Sequence, residues 1–225
     1  MVFVTGDTHI PIDIHKLNTK KFPEQTNLTR ADFVIVLGDF GLLWKEDKEY
    51  RYWKEWLEQK PFTLLWLDGN HENFDWIDRL PVSEWNGGKV HFISENIIHL
   101  MRGQIFDLDG RSFFVCGGAT STDKEYRRIG VSWWPQEDIS WAECSEAMDN
   151  LEKADNTVDF VLSHTCPASL LTPMFQFSPA PDPTARFLEE VARRVKSAEW
   201  YFGHHHIDKD FGRFHAVYRR ITRLF

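Results

Sequence analysis

Carboxylates, imidazoles and one carboxamide recur along this 225-residue chain just after short apolar runs. Val2-Phe3-Val4-Thr5 leads into Gly6-Asp7-Thr8-His9, and Val34-Ile35-Val36-Leu37 leads into Gly38-Asp39. Leu64-Leu65-Trp66-Leu67 precedes Gly69-Asn70-His71-Glu72. Residues 158–162 end at Ser163-His164, and Trp200-Tyr201-Phe202 ends at Gly203-His204-His205-His206. The candidate ligands are therefore Asp7, His9, Asp39, Asn70, His164, His204 and His206. Oxygen and imidazole donors without thiolates suit Mn²⁺, with Fe, Zn²⁺ or Ni²⁺ as alternatives. Two such ions about 3.5–4 Å apart can clamp a phosphoryl group and share a hydroxide. A carboxylate is the best bridge between them, because its two oxygens can serve two ions. A neutral Asn carbonyl on one ion trims negative charge and keeps the site electrophilic.

These residues can meet only if the runs before them are strands whose carboxyl ends converge, where sites form in sheets with helical crossovers. Strands are expected at 2–5, 33–37, 63–67, 90–93, 97–100, 104–108, 112–116, 158–163 and 199–202. Helices are expected at 48–59, 139–153 and 184–196, the last starting at Asp182-Pro183-Thr184. The first half alternates strand and helix, which implies parallel pairing. The stretch 89–116 reads strand after strand with tight turns such as Asp109-Gly110, which implies antiparallel pairing. The expectation is an α/β (mixed α+β) fold: a four-layer sandwich of two mixed β-sheets flanked by helices. No repeat, low-complexity tract or linker breaks the chain, so residues 1–225 read as one domain. The Pro-rich stretch 172–183 reads as a surface loop.

The ordered set D-x-H, GD, GNH[DE], a lone H and GHxH closely resembles the calcineurin-like metallophosphoesterase superfamily. Here it runs from residue 6 to residue 206 as Asp7-Thr8-His9, Gly38-Asp39, Gly69-Asn70-His71-Glu72, His164 and Gly203-His204-His205-His206. Each motif alone is weak; the ordered set is specific. The resemblance implies the metallophosphoesterase fold and two divalent metal ions. Asp7, His9 and His206 would hold one, Asn70, His164 and His204 the other, and Asp39 would bridge them. A hydroxide between the metals would be the nucleophile. His71 would stabilise developing charge or act as general acid. Many relatives continue the second motif as GDxxDR, whose acidic residue orients the catalytic His and whose Arg binds phosphate. Leu42 and Leu43 stand in those places here. His71 then needs another orienting partner, with Glu72 and Asp75 as candidates. Phosphate-binding cations are sought at 117–137, where Arg127 and Arg128 lie beside Lys124, Tyr126, Trp133 and Trp134.

Several residues have plainer readings. Asp in a turn after a strand is common, and a lone His such as His164 is often structural. His205 should point away from its neighbours' site, yet could touch substrate. His15, His91, His99 and His215 match no motif, and Cys166 reads as an apolar packing residue. Arg127 and Arg128 could equally be solvated charges.

Composition narrows the function. Net charge is −8 and pI near 5.7, which disfavours stable nucleic-acid binding. A nuclease would want a basic groove or an added DNA-binding domain. Three scattered Cys argue against a disulfide framework or thiolate zinc site. The start MVFVTGDTH lacks a signal-peptide pattern and no apolar run approaches a membrane span, so a cytoplasmic location is expected. The expected activity is hydrolysis of phosphomono- or phosphodiesters, with a small-molecule or phosphoprotein partner as substrate. The alternatives are a non-catalytic scaffold, which would typically have lost His71 or a ligand, or a nuclease of the same fold.

Overall fold

The structure is a computed structural model that describes residues 1–176, 180–195 and 198–225. The first half forms β1 (Val2–Thr5), β2 (Phe33–Leu37), α1 (Lys48–Glu58), β3 (Thr63–Leu67), α2 (Phe74–Ile77), β4 (Val82–Trp85), β5 (Gly88–Ser94), β6 (Ile97–Leu100), β7 (Gln104–Leu108) and β8 (Arg111–Cys116). The second half forms α3 (Trp141–Lys153), β9 (Phe160–Ser163), α4 (Leu171–Phe175), α5 (Pro183–Arg194), β10 (Glu199–Phe202), β11 (Lys209–Phe211), β12 (Phe214–Ala216) and β13 (Ile221–Arg223). A seven-stranded sheet runs β13-β1-β2-β3-β6-β5-β4, and a six-stranded sheet runs β11-β12-β10-β9-β8-β7.

The continuous apolar runs became central strands because both faces of each are covered. Val4, Ile35, Leu65, Phe113 and Leu162 point into one apolar layer between the sheets. Phe3, Val34 and Trp66 point the other way, onto α1 and α2, among Trp53, Leu57 and Phe74. On the far face of the second sheet, Phe114, Val161 and Trp200 pack with Leu151 of α3 and Leu188 of α5. This is the expected order of four layers.

β1, β2, β3 and β6 pair in parallel, as do β8, β9, β10 and β12. The run 89–116 pairs antiparallel as expected, in β5–β6 and β7–β8, but the chain changes sheets between Leu100 and Gln104. Asp109 and Gly110 turn the second hairpin at φ 58° and 76°. Between β1 and β2 the crossover is built of 3₁₀ turns rather than a helix.

Four strands lie outside the expected set. β4 and β13 are edges of the first sheet and β11 is an edge of the second, so their residues need not be apolar. β11, β12 and β13 are also only three residues each. The expected loop 172–183 is corrected at its start, where α4 carries Pro173 in its opening turn, a position proline tolerates. Residues 177–179 of that stretch, and the expected helix end at 196, lie outside the described residues. α5 begins as read: the Asp182 side chain accepts Ala185 N–H at 2.6 Å and Pro183 takes the first turn.

Candidate metal centre

The loops leaving β1, β2, β3, β9 and β10 meet where the two sheets approach each other. Gly203 N–H donates to the His164 carbonyl at 2.9 Å, joining two of these loops. His164 Nδ1 lies 2.7 Å from the Leu37 carbonyl, tying one sheet to the other. The approach is too close for side chains at two of the motif glycines. A Cβ on Gly38, at φ 94°, would lie 2.0 Å from His164 Nδ1, and one on Gly69 would lie 2.1 Å from Asp39 Oδ1. The GD and GN pairs are therefore consequences of packing as well as of turning.

His9, Asp39, His204 and His206 hold φ of 35°, 47°, 63° and 53°. Non-glycine residues pay for that backbone and keep it only where their surroundings fix them. One fixing contact is visible: Thr8 and His9 N–H both donate to the Asp39 carbonyl, at 3.1 and 2.8 Å.

The side chains converge in two groups. The donor atoms of Asp7, His9 and His206 lie within 4.8 Å of one another, and so do those of Asp7, Asp39 and His164. His206 Nε2 is 3.0 Å from Asp7 Oδ2, while Asp7 Oδ1 accepts His204 N–H at 2.9 Å. Asp39 spans the groups: Oδ2 lies 3.3 Å from His9 Nε2 and Oδ1 lies 3.4 Å from His164 Nε2. His164 Nε2 is 3.0 Å from Asn70 Oδ1, and the His204 ring meets the His164 ring edge-on at 4.9 Å. Asp7 and His164 are 0% exposed and Asp39 is 1% exposed, so little water reaches these charges.

An outer layer orients the donors, and it escaped the sequence reading. Asn70 Nδ2 donates to Ser121 Oγ at 3.0 Å, which aims Oδ1 at the cluster. Ser121 N–H is held in turn by Glu137 Oε2. Asp13 Oδ2 lies 3.2 Å from His9 Nδ1 and accepts the Tyr218 hydroxyl at 3.2 Å; Tyr218 stacks on His206 at 4.6 Å. The buried Lys16 ammonium donates to the carbonyls of Gly6, Asp7 and Tyr218. Such partners fix the ring and amide orientation of ligating groups. The i, i+4 spacing of His9 and Asp13 was a usable signal; nothing local marks Ser121 or Tyr218.

Electrostatics point the same way. Burial opposes charge on Asp7 and Asp39, yet both carboxyls are held below the usual range. A hydrogen bond from His206 and the charge of His164 do this for Asp7; His164 and His9 do it for Asp39. Burial likewise opposes charge on His9, but its hydrogen bond to Asp39 and the charges of Asp39 and Asp7 raise it to about 9. His204 is pushed well below 6.5 by burial and by His164. The cluster thus offers anionic oxygens and imidazoles, with protons as replaceable counter-charges, a donor set that fits divalent cations.

His71 stands beside this group, its ring centroid 6.1 Å from that of His9 and its N–H on Asp39 Oδ1 at 2.7 Å. Neither suggested orienting partner serves it. Glu72 turns back to accept Phe40 N–H at 2.7 Å, and Asp75 is exposed. Among the described residues, none hydrogen-bonds to the His71 ring. Burial lowers its pKa and the Arg127 charge adds to the lowering, while Asp39 opposes. Arg127 itself is held by Asp123 and the Ser132 carbonyl, whereas Arg128 is exposed. Leu42 and Leu43 are core residues, 2% and 1% exposed. His205 lies outside both groups, with Nε2 3.5 Å from Cys166 Sγ and its ring against Phe175. His15 packs on Trp53, and His215 pairs with Asp210 and Glu199.

A family model described as calcineurin-like phosphoesterase matches residues 1–208. No curated protein matches the chain.

Proposed function

This chain belongs to the calcineurin-like phosphoesterase family, and on that premise we propose that it hydrolyses phosphomono- or phosphodiesters at a centre of two divalent cations, Mn²⁺ first among them. The observation that carries this reading is Asp39, buried, with one oxygen toward His9 and the other toward His164. Asp7, His9 and His206 would hold one cation, Asn70, His164 and His204 the second, and Asp39 both. When bound, the pair would supply an activated water and offset phosphate charge.

The chain's own residues do the rest. Ser121 keeps the Asn70 oxygen toward the second position, and Asp13 keeps His9 in one ring orientation. Burial of Asp7 and Asp39 excludes bulk water and strengthens every interaction with the phosphoryl group. Hydrolysis adds a water oxygen to phosphorus and breaks the bond to the leaving oxygen, which must take a proton. His71, outside both triads, is the residue assigned to supply that proton or to stabilise the developing charge. Arg127 and Arg128 are the assigned phosphate contacts in place of the absent Asp-Arg pair; Arg127, held by Asp123 and the Ser132 carbonyl, is the better fixed of the two.

The apolar layer shared by both sheets supports one domain over 1–225. Three free thiols suit a cytoplasmic location, and no helix among the described residues is long and apolar enough to cross a membrane.

The test is an assay with Mn²⁺ that pairs p-nitrophenyl phosphate with bis-p-nitrophenyl phosphate. At least one should be hydrolysed, and Asp39→Asn should lower kcat/KM by about 100-fold or more, since even outer-layer changes reach that scale. Activity on both compounds that survives Asp39→Asn contradicts the mechanism. Inactivity on both, with no bound metal, contradicts the function.

A further inference from the structure

Beside the ligand cluster, and sharing His204 with it, lies a cavity of about 480 Å³. Besides His204 and His205, its walls come from the stretch after β8 and the stretch around α4, which carry no candidate ligand. Thr122 and Lys124 belong to the stretch after β8; Leu171, Phe175 and Asp182 belong to the stretch around α4. The lining is mixed in chemistry. Part of it is apolar and aromatic: Leu171, and the Phe175 ring set edge-on to His205 at 5.3 Å with 37% of the residue exposed. The rest carries hydroxyls and carboxylates, Thr122, Asp138 and Asp182, with the Lys124 ammonium among them; Asp182 Oδ1 already accepts Ala185 N–H.

A ligand that fits such a lining has a flat unsaturated ring to lie against an aromatic and hydroxyl or amino donors to meet carboxylates. Its volume class is that of small-molecule sites, about 300–1,000 Å³. A polypeptide, by contrast, is usually read along an open groove or a sheet edge. We propose that this cavity receives the nucleoside of a nucleotide ester whose phosphate lies at the ligand cluster, making Phe175, Thr122 and His205 specificity residues. The proposal rests on the phosphoesterase reading of the neighbouring cluster.

The test is calorimetric binding to Mn²⁺-loaded protein of adenosine 5′-monophosphate, uridine 5′-monophosphate, inorganic phosphate and a phosphoserine peptide. At least one nucleotide should bind about tenfold or more tighter than phosphate, a margin of about 1.4 kcal/mol. Thr122→Trp, which fills the cavity from an exposed position, and Phe175→Ala should each reduce nucleotide affinity to that of phosphate. Phosphate affinity and thermal unfolding should stay unchanged. If Phe175→Ala unfolds, Thr122→Trp still gives the answer. Nucleotide affinity no better than phosphate overturns the proposal, as does an equal effect of Thr122→Trp on both ligands. Tighter binding of the phosphopeptide overturns it in favour of a polypeptide. The nucleotides and the phosphopeptide are offered as phosphonate analogues, which have no phosphoester bond to break. Binding is thus read without turnover, and inactivity toward every ester would count against the phosphoesterase reading alone.

Discussion

Two clusters of buried charge flank the end of β3, and they are built on opposite plans. Asp68 and Arg102 are 2% and 7% exposed. Arg102 Nε and Nη2 donate to Asp68 Oδ2 at 2.7 and 2.5 Å, and its other hydrogens reach the carbonyls of Gln136 and Asp138. His99 Nε2 lies 3.3 Å from the remaining oxygen. Burial opposes the charges, but each partner holds the other ionised, Asp68 lowered and Arg102 raised. Asp7 and Asp39 are buried as deeply, yet among the described residues no Lys or Arg side chain forms an ion pair with either. Lys16 spends its donors on backbone carbonyls. Their neighbours are imidazoles, His206 beside Asp7 and His9 and His164 beside Asp39, of which His9 is raised to about 9. A guanidinium cannot give up its proton, so the first cluster is a permanent strut pinning residues 136–138 to β3. Imidazole protons can be exchanged for a cation, so on the function proposed above the second is a receptor.

The largest effect expected from this contrast is on the strut. Arg102→Met leaves Asp68 buried without its partner and should cost about 3–5 kcal/mol in denaturant unfolding. The pH response should also reverse. In the native chain the lowered Asp68 pKa contributes stability above the ordinary carboxylate range that is lost as pH falls through the folded value. Without Arg102, burial, the largest influence on that pKa, is opposed only by His99, so the pKa should rise and the variant should be most stable in acid. A loss under about 1 kcal/mol would break the distinction between strut and receptor.

On the receptor side, Asp13→Ala removes the partner of His9 Nδ1 and should weaken Mn²⁺ binding by about 10–100-fold by calorimetry. Unaltered affinity would leave Asp13 as a surface residue that happens to lie near. The labile counter-charge gives a sharper signature. His9 is raised to about 9, so in the metal-free protein its charge contributes stability below about pH 6.5 that is lost as pH rises through about 9. Metal must displace the same proton, so Mn²⁺ affinity should rise about tenfold per pH unit across that window and then level off. Affinity flat from pH 6.5 to 9 would contradict the exchange.

The smallest effect concerns Glu72, whose pKa burial and the Asp39 charge raise well above 4.5. A raised carboxyl contributes stability in acid that is lost as pH rises past its unfolded value. Glu72→Gln keeps an acceptor for Phe40 N–H and removes that loss. The metal-free variant should unfold at higher temperature than the native chain at pH 8, by about 1 kcal/mol, and the gap should close toward pH 4. No gap at pH 8 would show that Glu72 is ionised where it sits.

The same contrast explains what could be read from the chain. Apolar runs flanked by turns marked the central strands, because burial on both faces demands them, and the ligand motifs sit at their exits. Edge strands such as β4, with Ser83 and Glu84 half-buried and exposed, carry no such demand and left no pattern. The candidate ligands were legible because metal chemistry restricts residue type at each turn. Arg102, Lys16, Ser121 and Tyr218 were not, since each acts through contacts far away in sequence: Tyr218 meets Asp13 across 205 residues. Glu72 was misread for a similar reason, since only the return of β2 beneath it shows that it faces Phe40 rather than His71.

The central claim is that Asp7 and Asp39 await cations. Equilibrium dialysis of the metal-free chain against Mn²⁺, with elemental analysis of the retained metal, tests it directly. The account predicts about two ions per chain, falling to about one or fewer in Asp39→Asn while Arg102→Met protein that remains folded keeps both. Retention of no metal by the native chain, or of two ions after Asp39→Asn, would contradict it.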